Sequence, residues 1–201
     1  MPVEKPHRSA SERGPAKKDL LSQAAVSVVY LTLATCLLAG VLSSQAQAQA
    51  SNEYQVKAAF LYNFAKFVDW PGEAFSSGSA PIVICVIGDD PFGGALDQAI
   101  SGKTIGGRQL TAWRMKWGQD LRSCHILFIS SSERQHLPQI IQSVRGSSVL
   151  TVGDVGQFNQ QGGMIKFVLV ANRVRFEING WMAEEARLKI SSKLLALAKS
   201  P

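Results

Sequence analysis

Three short, uninterrupted apolar runs most constrain how this chain can fold. They are "PIVICVIG" around Ile82–Ile87, "CHILFIS" within Cys124–Ser130 and "SSVLTVGD" at residues 147–154. Strands that are apolar on both faces are buried on both faces, which is typical of a parallel sheet covered by helices. Segments with helical spacing lie between and around these runs, so the sequence predicts an α/β fold with a mostly parallel central sheet.

Helical and antiparallel segments complete the predicted domain, residues 51–201. The pattern predicts helices over Glu53–Val68, Phe92–Ile100, Ser132–Val144 (with Ser132 as N-cap) and Trp181–Ala198. An extended segment with a Gly-Gly turn leads into a strand at Leu110–Met115. Alternation in "MIKFVLVANRVRFEI" predicts an edge hairpin, with Met164–Val170 antiparallel to Arg173–Ile178.

The aromatic-rich stretch "FLYNFAKFVDWP" raises the question of a ligand platform. Phe60, Phe64 and Phe67 fall at helical spacing along one stripe, which favours a buried core face. Tyr62 and Trp70 are the two rings that we keep as candidate exposed contacts.

Residues 1–50 predict a secretory signal peptide. Five Lys/Arg precede the uncharged run Ala24–Leu42, and small residues follow at the positions that signal peptidase reads. We expect cleavage after Ala48 or Ala50 and export of the protein. The alternative is an uncleaved anchor, because the apolar run is almost long enough to span a bilayer.

The charge of the exported part argues against nucleic acid as a partner. Residues 1–50 carry five Lys/Arg and three Asp/Glu, so their removal lowers the formal net charge from +6 to +4. The remaining positive residues are scattered and form no basic run.

Two cysteines, Cys85 and Cys124, remain after Cys36 leaves with the signal. Both lie in predicted buried strands, and an oxidising compartment makes them a candidate disulfide. The alternative is a pair of buried free thiols, which behave as small hydrophobic residues.

The motif "VIGDDPFGG" is the strongest hint of chemistry. A strand that enters a glycine-rich turn can bind phosphate through backbone amides, but this segment lacks the spacing of known phosphate-binding loops. A tight turn is the better interpretation. Asp89 and Asp90 resemble the acidic pair of phosphoryl-accepting receiver domains, yet serines stand where the phosphate acceptor is required.

No other pattern predicts a catalytic or metal site. A G-x-S-x-G motif is absent, and Cys124–His125 lacks further ligands at zinc spacing. His125 is therefore interpreted as a core or edge histidine. The sequence predicts a binding protein rather than an enzyme, with no cofactor and no metal.

The predicted hairpin carries the most distinctive surface. Arg173, Arg175 and Glu177 alternate onto one face of a strand, and Val174 and Phe176 alternate onto the other. Such a charged row is either a solvated face that protects a sheet edge or a surface for recognition of a partner.

Taken together, the segments resemble the YfiR family of exported α/β proteins. The resemblance rests on "AAFLYNFAKFVDWP", "ICVIGDDPFGGAL", "GKTIGGRQL", "CHILFIS", "SSVLTVGD", "GGMIKFVLVANRVRFEIN" and "ARLKISSKLLALA". These segments occur in the family's order from about Glu53 to Ala198.

The resemblance implies a periplasmic repressor that is not an enzyme. Such proteins bind the periplasmic part of an inner-membrane diguanylate cyclase (YfiN-like) and lower cyclic di-GMP and biofilm formation. An outer-membrane lipoprotein (YfiB-like) sequesters the repressor, which forms homodimers and responds to thiol oxidation.

The resemblance also implies roles for particular residues. Cys85 and Cys124 match the family's disulfide, whereas the second cysteine pair of the better-studied repressor is absent here. Ile165 and Glu177 become partner-binding candidates, and the hairpin pattern adds Arg173 and Arg175. An alternative function is a periplasmic small-molecule-binding protein, for an aromatic amino acid or nucleotide-like ligand, that serves another membrane sensor.

Overall fold

A seven-stranded sheet forms the centre of the computed structural model, which describes residue 49 and residues 51–198. Apart from Gln49, the predicted signal peptide lies outside the described residues. The strands of this sheet, in chain order, are β2 (Ile82–Ile87), β3 (Thr104–Ile105), β4 (Arg108–Met115), β5 (Ile126–Ile129), β6 (Leu150–Gly153), β7 (Ile165–Val170) and β8 (Arg173–Ile178). A separate two-stranded sheet pairs β1 (Val68–Asp69) with β9 (Lys189–Ile190).

Five α-helices surround the sheets in the described residues. They are α1 (residues 51–67), α2 (Gly94–Ile100), α3 (Leu137–Ser143), α4 (Gly180–Glu185) and α5 (Ser192–Leu197). None of the described helices is long and apolar enough to cross a membrane.

The spatial order of the strands is β3-β4-β2-β5-β6-β7-β8. Strands β4, β2, β5, β6 and β7 are parallel, and β3 and β8 add antiparallel edges. This doubly wound order explains the continuous apolar runs, because each central strand packs against side chains on both faces. The prediction of a mostly parallel sheet with an antiparallel edge hairpin is confirmed.

Two buried clusters hold the layers together. On one face, the larger cluster joins α1 and α2 to sheet residues such as Val86 and Phe128. On the other face, α3 packs through Leu137 and Ile140 against residues that include Leu127.

Helix α1 confirms the interpretation of the aromatic stretch as a core face. Phe64 is fully buried, and Phe60 and Phe67 are partly buried against the same cluster. Tyr62 and Trp70 are half-buried rather than freely exposed. The Trp70 indole N–H donates a hydrogen bond to the His125 backbone carbonyl at 3.2 Å, so this ring is tied into the fold.

The prediction of one helix over Trp181–Ala198 is wrong. Helix α4 ends because Arg187 adopts a positive φ of 60°, and the Leu188 amide returns to the Ala183 carbonyl. The chain then forms β9, and Ser191 caps α5 by accepting a hydrogen bond from the Lys193 amide. At this point the chain forms the antiparallel pairing of β9 with β1 instead of a continuous helix.

The helix predicted over Ser132–Val144 also begins later than expected. A 3₁₀ turn at Ser131–Glu133 precedes α3, and the cap of that turn is Ser130 rather than Ser132. Pro138 lies in the first turn of α3. A proline has no amide hydrogen to continue a preceding helix, so it favours a new start at this point.

Candidate partner-binding hairpin

The hairpin of β7 and β8 closes in a two-residue turn. Ala171 and Asn172 occupy this turn with positive φ values of 48° and 58°. Positive φ at both positions is the geometry of the turn that best matches the twist of a hairpin. Pairing of Val170 with Arg173 and of Ile165 with Ile178 sets the register and therefore which side chains share a face.

One face of the hairpin carries unpaired positive charge. Arg173 and Arg175 are exposed, and neither forms an ion pair with another described residue. Glu177 is half-buried and lies 3.9 Å from the Lys166 ammonium. The row predicted from the sequence is thus assembled on one face, and its free charge comes from the two arginines.

The other face of the hairpin is part of the core. Phe167 and Phe176 lie against Phe60 and Phe64 of α1, with ring centroids 5.1–6.1 Å apart. Ile165 is buried on this face with 0% exposure. The sequence predicts Ile165 as a partner-binding residue; in this structure its side chain lies in the core and does not contribute to the exposed surface of the hairpin.

A groove of about 300 Å³ separates the hairpin from the start of α1. Apolar side chains in its wall include Val56, Phe60 and Leu169, and Arg173 and Arg175 also line it. Among the described residues, one carboxylate lies in the wall, and this Glu53 side chain contacts the Lys57 ammonium at 2.6 Å. The uncompensated charge at this groove is therefore positive.

A buried ionic cluster fastens α1 beside this groove. Lys57 is only 3% exposed, and its ammonium lies 2.7 Å from the Asp154 carboxylate at the end of β6. The Tyr54 hydroxyl donates to the same carboxylate oxygen at 2.9 Å. Burial, together with the charge of Asp154, raises the pKa of Tyr54 above its usual range. A buried cation requires such partners, because leaving one unpaired is costly.

Sequence reasoning missed the Lys57 cluster. The four-residue spacing of Glu53 and Lys57 is a signal for their pairing on a helix. Asp154 is 97 residues away from Lys57, and no local pattern could assign it as the second partner.

Cys85 and Cys124 form a disulfide, as predicted. Their Cα atoms are 5.8 Å apart, which lies within the range of native disulfides. The two residues are 0% and 2% exposed, so the bond is enclosed by the core.

His125 is a core histidine, which confirms its interpretation. Its Nδ1 accepts a hydrogen bond from the Val83 amide at 3.1 Å, and the Phe75 ring stacks on the imidazole. Burial lowers the pKa of His125 to about 4; the Ala74 carbonyl opposes this lowering, and the Arg108 cation adds to it. Of the two residues that the sequence considered for zinc, Cys124 is held in the disulfide, and Nδ1 of His125 is occupied by the Val83 amide.

Contacts within the protein occupy the turn after β2. The Asp89 amide donates to the Ser132 hydroxyl at 2.9 Å, so the neighbouring loop closes over the turn. Asp90 and Asp97 both bind the Arg114 guanidinium, at 2.9 and 2.6 Å. These carboxylates tie α2 to β4 and would repel an anion.

The fold and this surface define a disulfide-bonded, doubly wound α/β protein with a cationic edge hairpin. The model of the YfiR/HmsC-like family matches residues 54–199, and the chain belongs to that family. No functionally curated protein matches the chain. The family is one of periplasmic regulators in diguanylate cyclase signalling, and the disulfide fits an oxidising compartment.

Proposed function

We propose that the protein is a periplasmic repressor that binds a membrane diguanylate cyclase and lowers cyclic di-GMP and biofilm formation. Another membrane sensor is the alternative target, and an outer-membrane lipoprotein is the proposed antagonist that sequesters the repressor. A homodimer is the proposed oligomeric state. A repressor of this kind acts by binding the inactive form of its target better than the active form.

The main support for this proposal is that Arg173 and Arg175 are exposed on one face of the edge strand β8 and form no ion pair with another described residue. The chain also belongs to a family of such regulators. Isolated cations on a folded surface are common, but two on one face beside an apolar groove favour a complementary partner. Glu177 lies on the same face, and Ile165 holds the strand from within the core.

Deletion of the gene tests the function directly. We expect cyclic di-GMP to rise, and complementation with the wild-type gene to restore the low level. Unchanged cyclic di-GMP, in a cell that contains the cognate cyclase, would contradict the proposal.

Charge reversal tests the surface. We expect Arg173→Glu/Arg175→Glu to complement poorly, because like charges placed across an interface cost several kcal/mol. The matched control is Arg134→Glu/Lys193→Glu, which reverses two exposed cations elsewhere. Equal complementation by both variants, at equal protein levels, would show that the hairpin is not the contact surface.

A second candidate function is small-molecule binding for a membrane sensor. The aromatic stretch of α1 and the glycine-rich turn after β2 are the sequence features that suggest a ligand. The α1 rings lie in the core, and Arg114 occupies the acidic turn. A cavity of about 360 Å³ between α3 and α4 favours it instead, with Met164, Met182 and Ile141 among its lining residues. Thermal unfolding with a metabolite panel tests it, because a ligand at 100 times its Kd adds about 2.7 kcal/mol; no shift with any metabolite would count against it.

A further inference from the structure

The tip of the hairpin exposes apolar side chains beside the two arginines. Leu169 is 56% exposed and Val170 is 39% exposed, immediately before the turn. Across the groove, Val56 of α1 is also 39% exposed. Together, Leu169, Val170 and Val56 form what we call the apolar tip.

Positive charge accompanies the apolar tip on one face of the hairpin. Arg173 pairs with Val170 at the level of the tip, and Arg175 pairs with Val168 one step back, about 7 Å along the strand. A further step back, Lys166 faces Glu177, and their charges compensate. Leu169 pairs with Val174, so free cations and exposed apolar side chains share the end of the hairpin, and a neutral pair lies behind them. Segments that lie at a membrane surface combine apolar side chains for the acyl boundary with cations for the phosphates in this way.

The geometry of the tip favours a bilayer over a flat protein surface. Leu169 and Val170 are neighbours on one strand, so their side chains project to opposite faces of the hairpin. A flat protein surface that covers one face leaves the other exposed. A bilayer surrounds a protruding turn and takes up both, and long arginine side chains can reach back to the phosphate layer.

We propose that the hairpin tip docks on the surface of a membrane that contains anionic phospholipid. Leu169 and Val170 enter the headgroup–acyl boundary, and Arg173 and Arg175 bind lipid phosphates. Contact of this size is weak and reversible, and its strength depends on salt. The same two arginines form the proposed contact with a cyclase, so the hairpin would bind lipid and cyclase alternately, and docking would concentrate the regulator near a membrane target.

Co-sedimentation of the purified protein with vesicles tests the proposal. Vesicles of phosphatidylglycerol and phosphatidylcholine in a 1:1 mixture are compared with vesicles of pure phosphatidylcholine, at low and high salt. We expect salt-sensitive binding to the anionic vesicles. Arg173→Gln/Arg175→Gln should lower that binding about 25-fold, because each cation near such a surface contributes roughly a factor of five. Leu169→Ser/Val170→Thr should weaken binding to both kinds of vesicle.

The control is Lys193→Gln/Leu197→Ser, which removes an exposed cation and an apolar side chain that is 63% exposed, both on α5. All variants share the same N-terminal residues, so any difference between them belongs to the substituted side chains, and their unfolding midpoints verify that each is folded. Wild-type binding that is equal on both kinds of vesicle, or unchanged in both tip variants, would overturn the proposal. Loss of repression by the tip variants with unaltered vesicle binding would assign the tip to a protein partner instead.

Discussion

His125 shows how one buried side chain couples this fold to pH. Its neutral imidazole accepts the Val83 amide hydrogen through Nδ1 and lies beneath the Phe75 ring. Protonation would place a charge in this apolar environment and remove the acceptor. The folded state therefore favours the neutral form, in agreement with the lowered pKa of about 4.

The low pKa of His125 predicts a loss of stability in mild acid. Between pH 6.5 and about 4 the unfolded state binds the proton and the folded state does not. The contribution is thus complete above pH 6.5 and is lost as pH falls towards 4, by at most roughly 3 kcal/mol. His125→Asn keeps an acceptor near Val83 and should flatten the dependence of the unfolding free energy on pH across this window.

Urea unfolding of the wild type and of His125→Asn at several pH values between 4 and 7 measures this dependence. A His125→Asn variant that loses stability in acid as steeply as the wild type would show that another group is responsible.

At the scale of secondary-structure elements, the loop after β6 is held in place by the Phe158 ring, which packs between two glycines. Phe158 is fully buried, and a Cβ on Gly153 would lie 2.5 Å from its ring, with one on Gly163 closer still. Both glycines are therefore required for close approach of an aromatic ring. The ring pins the loop that carries Asp154, and with it the anchor of α1.

Substitution at Gly163 should release this loop. We expect Gly163→Ala to destabilise the protein by about 1–3 kcal/mol, as is typical for overpacking of a core. Phe158→Leu makes room, so Phe158→Leu/Gly163→Ala should be less destabilised than the sum of the single variants. Chemical denaturation measures all three. Gly156→Ala, with no neighbour within 4 Å, should be nearly neutral, and a neutral Gly163→Ala would refute the steric argument.

Some helices and strands could be predicted from the sequence, and others could not. The central strands were predictable because a continuous apolar run identifies a buried strand without knowledge of its neighbours. The hairpin was predictable because the alternation of apolar and polar residues is a local pattern. The last helix was not, because the positive φ of Arg187 is adopted by a residue that rarely adopts it. Pairing of Val68 with Ile190 then decided the fold of that segment, and this contact spans most of the domain.

At the scale of the whole molecule, the sequence predicted only the part of the candidate site that lies on a single strand. The alternation of residues 173–177 placed two arginines and a glutamate on one face without knowledge of the fold. The resemblance supplied Ile165, but its burial depends on α1, which packs against the strand from more than a hundred residues away. The Lys57–Asp154 pair depends on the same long-range packing.

The disulfide is the covalent constraint on the whole sheet. Cys85 lies in β2, and Cys124 lies just before β5, which is its parallel neighbour. Closing a loop with a sequence separation of 39 stabilises a protein by about 4 kcal/mol in the chain-entropy model. We expect Cys85→Ala/Cys124→Ala to lose about this much in denaturant unfolding, because alanine adds no unpaired polar group to the core.

Burial of this bond also predicts that it stabilises the fold and does not act as a redox switch. Both cysteines are almost completely enclosed, so a thiol can attack only after the sheet opens. We expect the native protein to resist reduction and to yield no alkylated Cys85 or Cys124, whereas denaturant with reductant should label both. Mass spectrometry of the alkylated protein measures this, with unfolded protein as the reference for full labelling. Rapid labelling in native buffer with reductant, before any loss of structure, would show instead that the bond is accessible and could respond to the redox state of the compartment.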